Sequence, residues 1–265
     1  MKGDVLKEKF KNKELIIGTH ITAPEPMNIE IMAKAGFDVI WIDWEHAPID
    51  RKDLNLMIMG VRTTDSAVFV RVPNNKEEWV KPALEMGADG IIFPNVKNAV
   101  EAKKAIDCVY YPPFGKRGFG PHRAMEFGLM SAKEYVDVES KKVWVILQIE
   151  DYKTVENLEE ILALEGVDAI QIGPNDLAGS LGLLPDSGHE KVQKYLDMLV
   201  EKCHKAGVLV GTSFGYGGSK SDEVIKQWLA RGVDWVNVGS DVNCLLNGSL
   251  DTIAAVKKAA GQQED

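Results

Sequence analysis

Four times along the chain a glycine and an aspartate, separated by one residue, lead into a short apolar run. Gly36-Phe37-Asp38 precedes Val39-Ile40-Trp41-Ile42, and Gly87-Ala88-Asp89 precedes Ile91-Ile92-Phe93. Gly166-Val167-Asp168 precedes Ala169-Ile170-Gln171-Ile172, and Gly232-Val233-Asp234 precedes Trp235-Val236-Asn237-Val238. Each copy follows a helical stretch, where a glycine supplies the left-handed position that ends a helix. The runs are short, β-branched and nearly continuous, as strands buried on both faces are. Four more runs of this kind, Leu15–Thr19, Ala67–Arg71, Trp144–Gln148 and Val208–Thr212, bring the count to eight. Helical patterns lie between them. The clearest is Val192, Tyr195, Leu196, Leu199, Val200 and Cys203, one face of an amphipathic helix over roughly 190–206. Alternation of strand and helix predicts a parallel sheet. Eight such units in 265 residues predict a (β/α)8 TIM barrel, read as one domain over 1–265. A doubly wound open sheet is the alternative, and the absence of a Gly-rich dinucleotide loop after any strand counts against it.

Charge and cysteine content narrow the partners. Lys plus Arg total 31 against 40 Asp plus Glu, a formal charge of −9. With no basic cluster, this argues against nucleic acid or an anionic membrane as the main partner. No apolar run approaches the ~18 residues of a membrane span. The start, Met1-Lys2-Gly3-Asp4, lacks the apolar core of a signal peptide. Cys108, Cys203 and Cys244 are odd in number and widely spaced, which fits a reducing cytoplasm rather than a disulfide or zinc framework.

In such a barrel the active site lies at the C-terminal strand ends, and those ends are polar here. They read Asp43-Trp44-Glu45-His46, Arg71, Pro94-Asn95, Gln148-Ile149-Glu150, Gly173-Pro174-Asn175-Asp176, Thr212-Ser213 and Gly239-Ser240-Asp241. Glu150 and Asp176 are hard oxygen donors on neighbouring strands, suited to Mg²⁺ or Mn²⁺, with Co²⁺ also compatible. The competing reading makes both of them helix-capping acids. An unperturbed imidazole changes charge near working pH, which makes His46 the leading acid/base candidate, with Asp43 and Glu45 beside it to orient the ring. A capping histidine is the plainer alternative. Arg71 can hold a carboxylate or a developing oxyanion, or pair structurally with an acid. His20 ends the first strand; it either faces the site or packs as a hydrogen-bonded core residue. The Gly- and Pro-rich stretch 110–130 carries Lys116, Arg117, His122 and Arg123. That loop either covers an anionic substrate or is a solvated or subunit-contacting surface.

These strand ends resemble those of the HpcH/HpaI aldolases, the metal-dependent class II pyruvate aldolases. The matching segments are AGFDVIWIDWEHAP (35–48), VRVP (70–73), YPPFGKRGFG (111–120), LQIE (147–150), EGVDAIQIGPNDL (165–177) and VGSD (238–241), in family order and spacing. The resemblance implies reversible cleavage of a 4-hydroxy-2-oxo acid to pyruvate and an aldehyde. It implies His46 as the base, acting with Asp43, and Arg71 at the pyruvate carbonyl. Glu150 and Asp176 become the metal ligands, and Gln148, Gly173 and Pro174 line the pyruvate pocket. Thr212, Ser213, His122 and Arg123 are added as substrate-binding candidates. The segment Pro121-His122-Arg123-Ala124 is closest to the members acting on sugar acids. The family is usually hexameric, with C-terminal helices packed between subunits. A homo-oligomer, hexamer or trimer, is therefore implied, with residues 242–260 as the helix, although a barrel-closing helix reads the same. Two departures stand out: many relatives have Gly at the position of Trp44 and Trp at that of His20. A ring at Trp44 is expected to narrow the aldehyde side of the pocket. A lyase acting on a CoA thioester, of malyl or citramalyl type, is a second reading, weakened by the lack of a basic stripe for CoA phosphates. A catalytically silent binding barrel is a third, against which all four proposed catalytic and metal positions carry competent residues.

Overall fold

The computed structural model describes residues 2–216 and 221–262. Met1, 217–220 and 263–265, which the single-domain expectation over 1–265 also spans, lie outside the described residues. Eight parallel strands close into a barrel in sequence order: β1 (Ile16–Ile21), β2 (Val39–Asp43), β3 (Ala67–Arg71), β4 (Gly90–Phe93), β5 (Trp144–Ile149), β6 (Ala169–Ile172), β7 (Leu209–Phe214) and β8 (Trp235–Ser240). Pairing of Ile16 with Trp235 joins β1 to β8 and rules out the open sheet.

A first helix, α1 (Gly3–Lys11), precedes the barrel. The outer layer is α2 (Pro26–Lys34), α3 (Arg51–Val61), α4 (Glu77–Glu85), α5 (Ala99–Val109), α6 (Ala132–Asp137), α7 (Tyr152–Glu156), α8 (Leu158–Leu162), α9 (Pro174–Ser180), α10 (Glu190–Ala206), α11 (Asp222–Arg231) and α12 (Asp241–Ala259).

The four recurring Gly-x-Asp segments do two jobs. Gly36, Gly87, Gly166 and Gly232 all have φ between 91° and 104°, the left-handed turn that ends a helix. The aspartates then extend the sheet. Asp38 donates its N–H to Ile17 O and accepts from Ile17 N–H at 2.9 Å through Oδ2. Asp89 does the same with Val68, Asp168 with Val145, and Asp234 with Val210. Each clasped residue stands one position before the first ladder pair between its strand and the next, at Gly18, Phe69, Ile146 and Gly211. The carboxylate thus satisfies an N–H that the ladder has not yet reached.

Helix α1 closes this end. Lys9 Nζ lies 2.5 Å from Asp38 and Lys7 Nζ 3.1 Å from Asp168, while the Lys2 backbone N–H donates to Asp89 at 2.9 Å. Leu6 seals the barrel interior from below.

Alternation along the strands sorts the core into two layers. Ile40, Ile42, Val70, Ile91, Ile149, Ile172 and Val236 pack outward against the helices. Val39, Trp41, Phe69, Trp144, Ile146 and Trp235 fill the interior. Glycines make room for these rings: a Cβ at Gly90 would lie 2.7 Å from the Phe69 ring and 3.1 Å from Trp144 Cβ, and one at Gly211 1.8 Å from Trp235 Nε1.

The sheet therefore hinges on carboxylates that cannot be replaced by water. Asp89 is buried and accepts from both Lys2 and Val68. Replacing Asp89→Ala orphans both donors and is expected to lower unfolding free energy by about 1–3 kcal/mol, measured by urea denaturation at neutral pH.

Candidate active site

At the opposite end of the barrel, the inward-facing strand ends form one connected set of polar groups. Arg71, ending β3, makes a bidentate pair with Asp43, which ends β2: Nη2 to Oδ2 is 2.7 Å and Nε to Oδ1 is 3.0 Å. Nε also lies 3.2 Å from Glu45 Oε2. Arg71 Nη1 donates to Gln148 Oε1 at 3.4 Å, and Gln148 Nε2 donates to Glu150 Oε2 at 2.8 Å. The other Glu150 oxygen accepts the Asn95 backbone N–H at 2.8 Å. Hydrogen bonds thus run unbroken from β2 through β3 and β5 to the turn after β4. The Trp41 ring beneath the guanidinium, 5.3 Å from it, supports Arg71 by cation–π attraction.

Local sequence explains these placements. Asn95 adopts φ 51°, a left-handed conformation that asparagine tolerates better than most residues, and this turns its N–H onto Glu150. A Cβ at Gly173 would stand 2.6 Å from Glu150 Oε2, so only glycine leaves room for that carboxylate. The cleft around Glu150 holds about 280 Å³ and is lined by Glu45, His46, Asn95, Gln148, Glu150, Asp151, Asp176 and Ser180.

The capping alternative for Glu150 fails, because Asp151 caps α7 by accepting from Lys153 N–H. Asp176 lies in the first turn of α9 and accepts no side-chain hydrogen bond among the described residues. Its charge, with that of Glu45, adds to burial in pushing the Glu150 carboxyl above its ordinary range. Two hard oxygen donors that raise each other's charge cost, open to a polar cleft, fit a divalent cation that keeps water or substrate oxygens in its shell. Among the described residues no three His, Cys, Asp or Glu side chains converge as a closed protein cage.

Asp43 serves Arg71 rather than the His46 ring. Its contact with His46 is to the backbone N–H, at 3.3 Å. The imidazole Nε2 lies 3.6 Å from Glu45 Oε2, and the side chain is 70% exposed. Of the two acids expected to orient the histidine, Glu45 is therefore the one beside the ring, while Asn95, read only as a strand-end residue, joins the site through its backbone N–H. The Glu45 carboxyl is raised by burial, against the pull of Arg71 and His46.

Other candidates sort by alternation. Ser213 shares the inward side of β7 with Gly211. Thr212 pairs with Ile172 and Val236 in the helix-facing layer, so it is turned away from the mouth. Trp44 likewise points outward: its Nε1 donates to Ile49 O at 2.7 Å and its ring meets Trp79 edge-on. The expected narrowing of the pocket by Trp44 does not occur.

His122 and Arg123 are not brought to the mouth within the chain. The stretch 110–130 begins only after α5 has returned to the N-terminal end of the barrel. There Arg123 donates to Met86 O below α4. Lys116 pairs with Asp107, and Arg117 is buried against Tyr111 and Tyr135.

The two kinds of carboxylate impose opposite pH dependences on stability. Burial alone would raise Asp43, but the Arg71 hydrogen bonds and charge outweigh it and hold the carboxyl below its ordinary 3.8. The Asp43–Arg71 pair thus adds stability above that pH, lost as pH falls through the lowered native value. Glu150 is raised above 4.5, so its contribution in metal-free protein is present below that pH and is lost as pH rises through the raised value. Glu150→Gln is expected to flatten the decline in stability above pH 4.5 in chelator-treated protein, read from urea melts across a pH series.

Comparison with known proteins places this arrangement. The family model for HpcH/HpaI aldolase/citrate lyase matches residues 17–248. The chain is 32% identical over 249 residues to 2-dehydro-3,6-dideoxy-6-sulfogluconate aldolase of Pseudomonas putida, covering 94% of this chain and 95% of that one. It is 33% identical over 263 residues to 5-keto-4-deoxy-D-glucarate aldolase of Shigella dysenteriae, covering 97% and 100%. An HpcH/HpaI aldolase/citrate lyase family protein from Burkholderia cenocepacia superposes with a TM-score of 0.88 at 31% identity, covering 96% of this chain and 99% of that one.

Proposed function

This chain belongs to the HpcH/HpaI aldolase/citrate lyase family and is a carbon–carbon lyase, and from that premise we propose that it cleaves a 4-hydroxy-2-oxo acid of the sugar-acid class reversibly to pyruvate and an aldehyde. The observation that carries the reading is the joined set Asp43–Arg71–Gln148–Glu150, with Asp176 and His46 at the same mouth. Both relatives named above are aldolases of sugar-acid derivatives, which supports the substrate class.

In this proposal Glu150 and Asp176 hold a divalent cation, Mg²⁺ or Mn²⁺, with Co²⁺ as a substitute. The bound ion supplies a Lewis acid at the keto oxygen. Arg71 presents a fixed positive charge where negative charge develops as the carbon–carbon bond breaks. Asp43 and Trp41 keep that guanidinium from turning, so its orientation is prepaid. Gln148 bridges Arg71 and Glu150 and transmits the spacing between them. His46, exposed and lining the cleft, takes the 4-hydroxyl proton in cleavage and returns it in addition. Glu45 stands beside the ring, its Oε2 3.6 Å from Nε2, and orients it. Among the described residues no lysine ends an inward-facing strand, and the proposed reaction uses no Schiff base.

The proposal also includes a homo-oligomer, hexamer or trimer. Supporting it, α12 buries only Asp241, while Leu245, Leu246, Leu250, Ile253 and Val256 remain exposed along it. No helix among the described residues is long and apolar enough to cross a membrane. We place the protein in a reducing cytoplasm on the wide spacing of its three free cysteines.

The test is pyruvate release from a panel of 4-hydroxy-2-oxo acids. Chelation is expected to abolish release, and Mg²⁺ or Mn²⁺ to restore it. His46→Ala is expected to lower kcat by roughly 10²–10⁴-fold with the fold intact. Undiminished release from thoroughly chelated protein overturns the reading.

A further inference from the structure

One side chain at the mouth is left unused by the reaction described above. His20 lies near the end of β1, which faces β5 across the closed eight-stranded barrel. Its ring packs on Trp41 with centroids 4.4 Å apart. The same indole carries Arg71, so the histidine and the guanidinium share one platform.

Nδ1 lies 3.4 Å from Gly239 O. A carbonyl only accepts, so this contact assigns the proton to Nδ1 and leaves a lone pair on Nε2. Nε2 has no hydrogen-bond partner among the described residues. The charged groups around the ring are Arg71, Asp43 and Asp241. Burial and then Arg71 outweigh the two carboxylates and hold the imidazole down to about 4, so it is neutral at neutral pH. The loop above it is fixed in place, because Asp241 accepts the N–H groups of Thr22 and Ala23. Nε2 is not a buried atom, so a donor group of a ligand at the mouth can take the place of water there.

The binding mode of the aldolase reading indicates which part of the substrate reaches it. A keto acid whose carboxylate and keto oxygens sit toward Glu150 and Asp176, on the β5–β6 side, extends its remaining carbons toward the β1–β2 side. We propose that His20 Nε2 accepts a hydrogen bond from a hydroxyl on the aldehyde-derived part of the substrate, so that the site selects hydroxylated aldehydes. The inference rests on the aldolase reading above and goes beyond it by assigning the selecting residue.

The test runs the reaction in the addition direction. Pyruvate is combined with glycolaldehyde or with acetaldehyde, which differ by one hydroxyl, using metal-loaded wild type, His20→Phe and His20→Gln. Phenylalanine keeps a ring on Trp41 and removes the acceptor; glutamine supplies an acceptor again. Wild type is expected to prefer glycolaldehyde in kcat/KM. That preference falls about tenfold in His20→Phe and is partly recovered in His20→Gln. An unchanged preference in His20→Phe, or an equal loss for both aldehydes, overturns the assignment. If His20→Phe fails to fold, the Gln variant decides: a preference lost there as well, in a protein with wild-type thermal unfolding, also overturns it. Wild type that forms no product with either aldehyde, while still releasing pyruvate from no 4-hydroxy-2-oxo acid, overturns the aldolase reading itself and this inference with it.

Discussion

The whole barrel depends on a carboxylate doing the work of a peptide group. At the N-terminal end, Asp38, Asp89, Asp168 and Asp234 each grip the residue just ahead of a strand ladder, through one main-chain and one side-chain hydrogen bond. The grip recurs at every second strand, always joining an odd strand to the even strand that follows. Burial makes these carboxylates costly, as the raised Asp168 and Asp234 groups show. Lys2, Lys7, Lys9 and His204 gather around them and offset that cost. One end of the barrel is thereby locked by short, directional contacts, which leaves the other end free to carry groups chosen for chemistry rather than for closure.

The interior transmits that rigidity to the mouth. Trp144 and Trp235 stack upward through Phe69 and Trp41, with ring centroids about 6 Å apart at each step. Trp41 is the top of this column and the floor of the site. It touches both Arg71 and His20, so a change in interior packing moves the guanidinium directly. Gly90 and Gly211 belong to the same device, since a side chain at either would push a tryptophan or Phe69 toward the mouth.

How far the sequence predicts this follows from what each residue contributes. Strands were legible because burial on both faces leaves unbroken apolar runs; their ends shifted by a residue or two, with β7 running on to Phe214. Glu150, Asp176, Arg71 and His46 were legible because ionisable side chains at buried strand ends demand a reason. Thr212 and Ser213 were not separable, since nothing but the strand's inward or outward phase distinguishes them. Trp44 drew attention by its neighbours, yet its direction is set by Trp79, a distant residue. Arg123 stands away from the mouth of its own chain because α5 carries the chain to the far end before the basic loop begins. Asn95 contributes only a backbone N–H at an unusual φ, which residue type does not announce. The repeated aspartates were visible as a pattern, but their grip on the neighbouring strand exists only once the barrel has closed.

Charge at the mouth finally explains why the site is built around Arg71. Among the described residues, Asp43, Glu45, Glu150 and Asp176 contribute four carboxylates to a cleft whose fixed cation is the Arg71 guanidinium, already paired with Asp43 and Glu45. A keto-acid anion entering that cleft meets net repulsion, at distances where Coulomb terms in a partly desolvated site reach several kcal/mol. Arg71 alone cannot reverse it, because a single positive charge already paired with Asp43 and Glu45 does not offset the remaining carboxylates, although its Nη1 N–H groups stay free of Asp43. Held by Glu150 and Asp176 as proposed, a divalent cation would change the sum: these two carboxylates, without a cationic partner among the described residues, would be neutralised, and the Asp43–Arg71 pair would stay intact. In the proposed reaction, cation binding and anion binding are therefore one electrostatic event, and the acidity of the mouth is what makes the first a condition of the second.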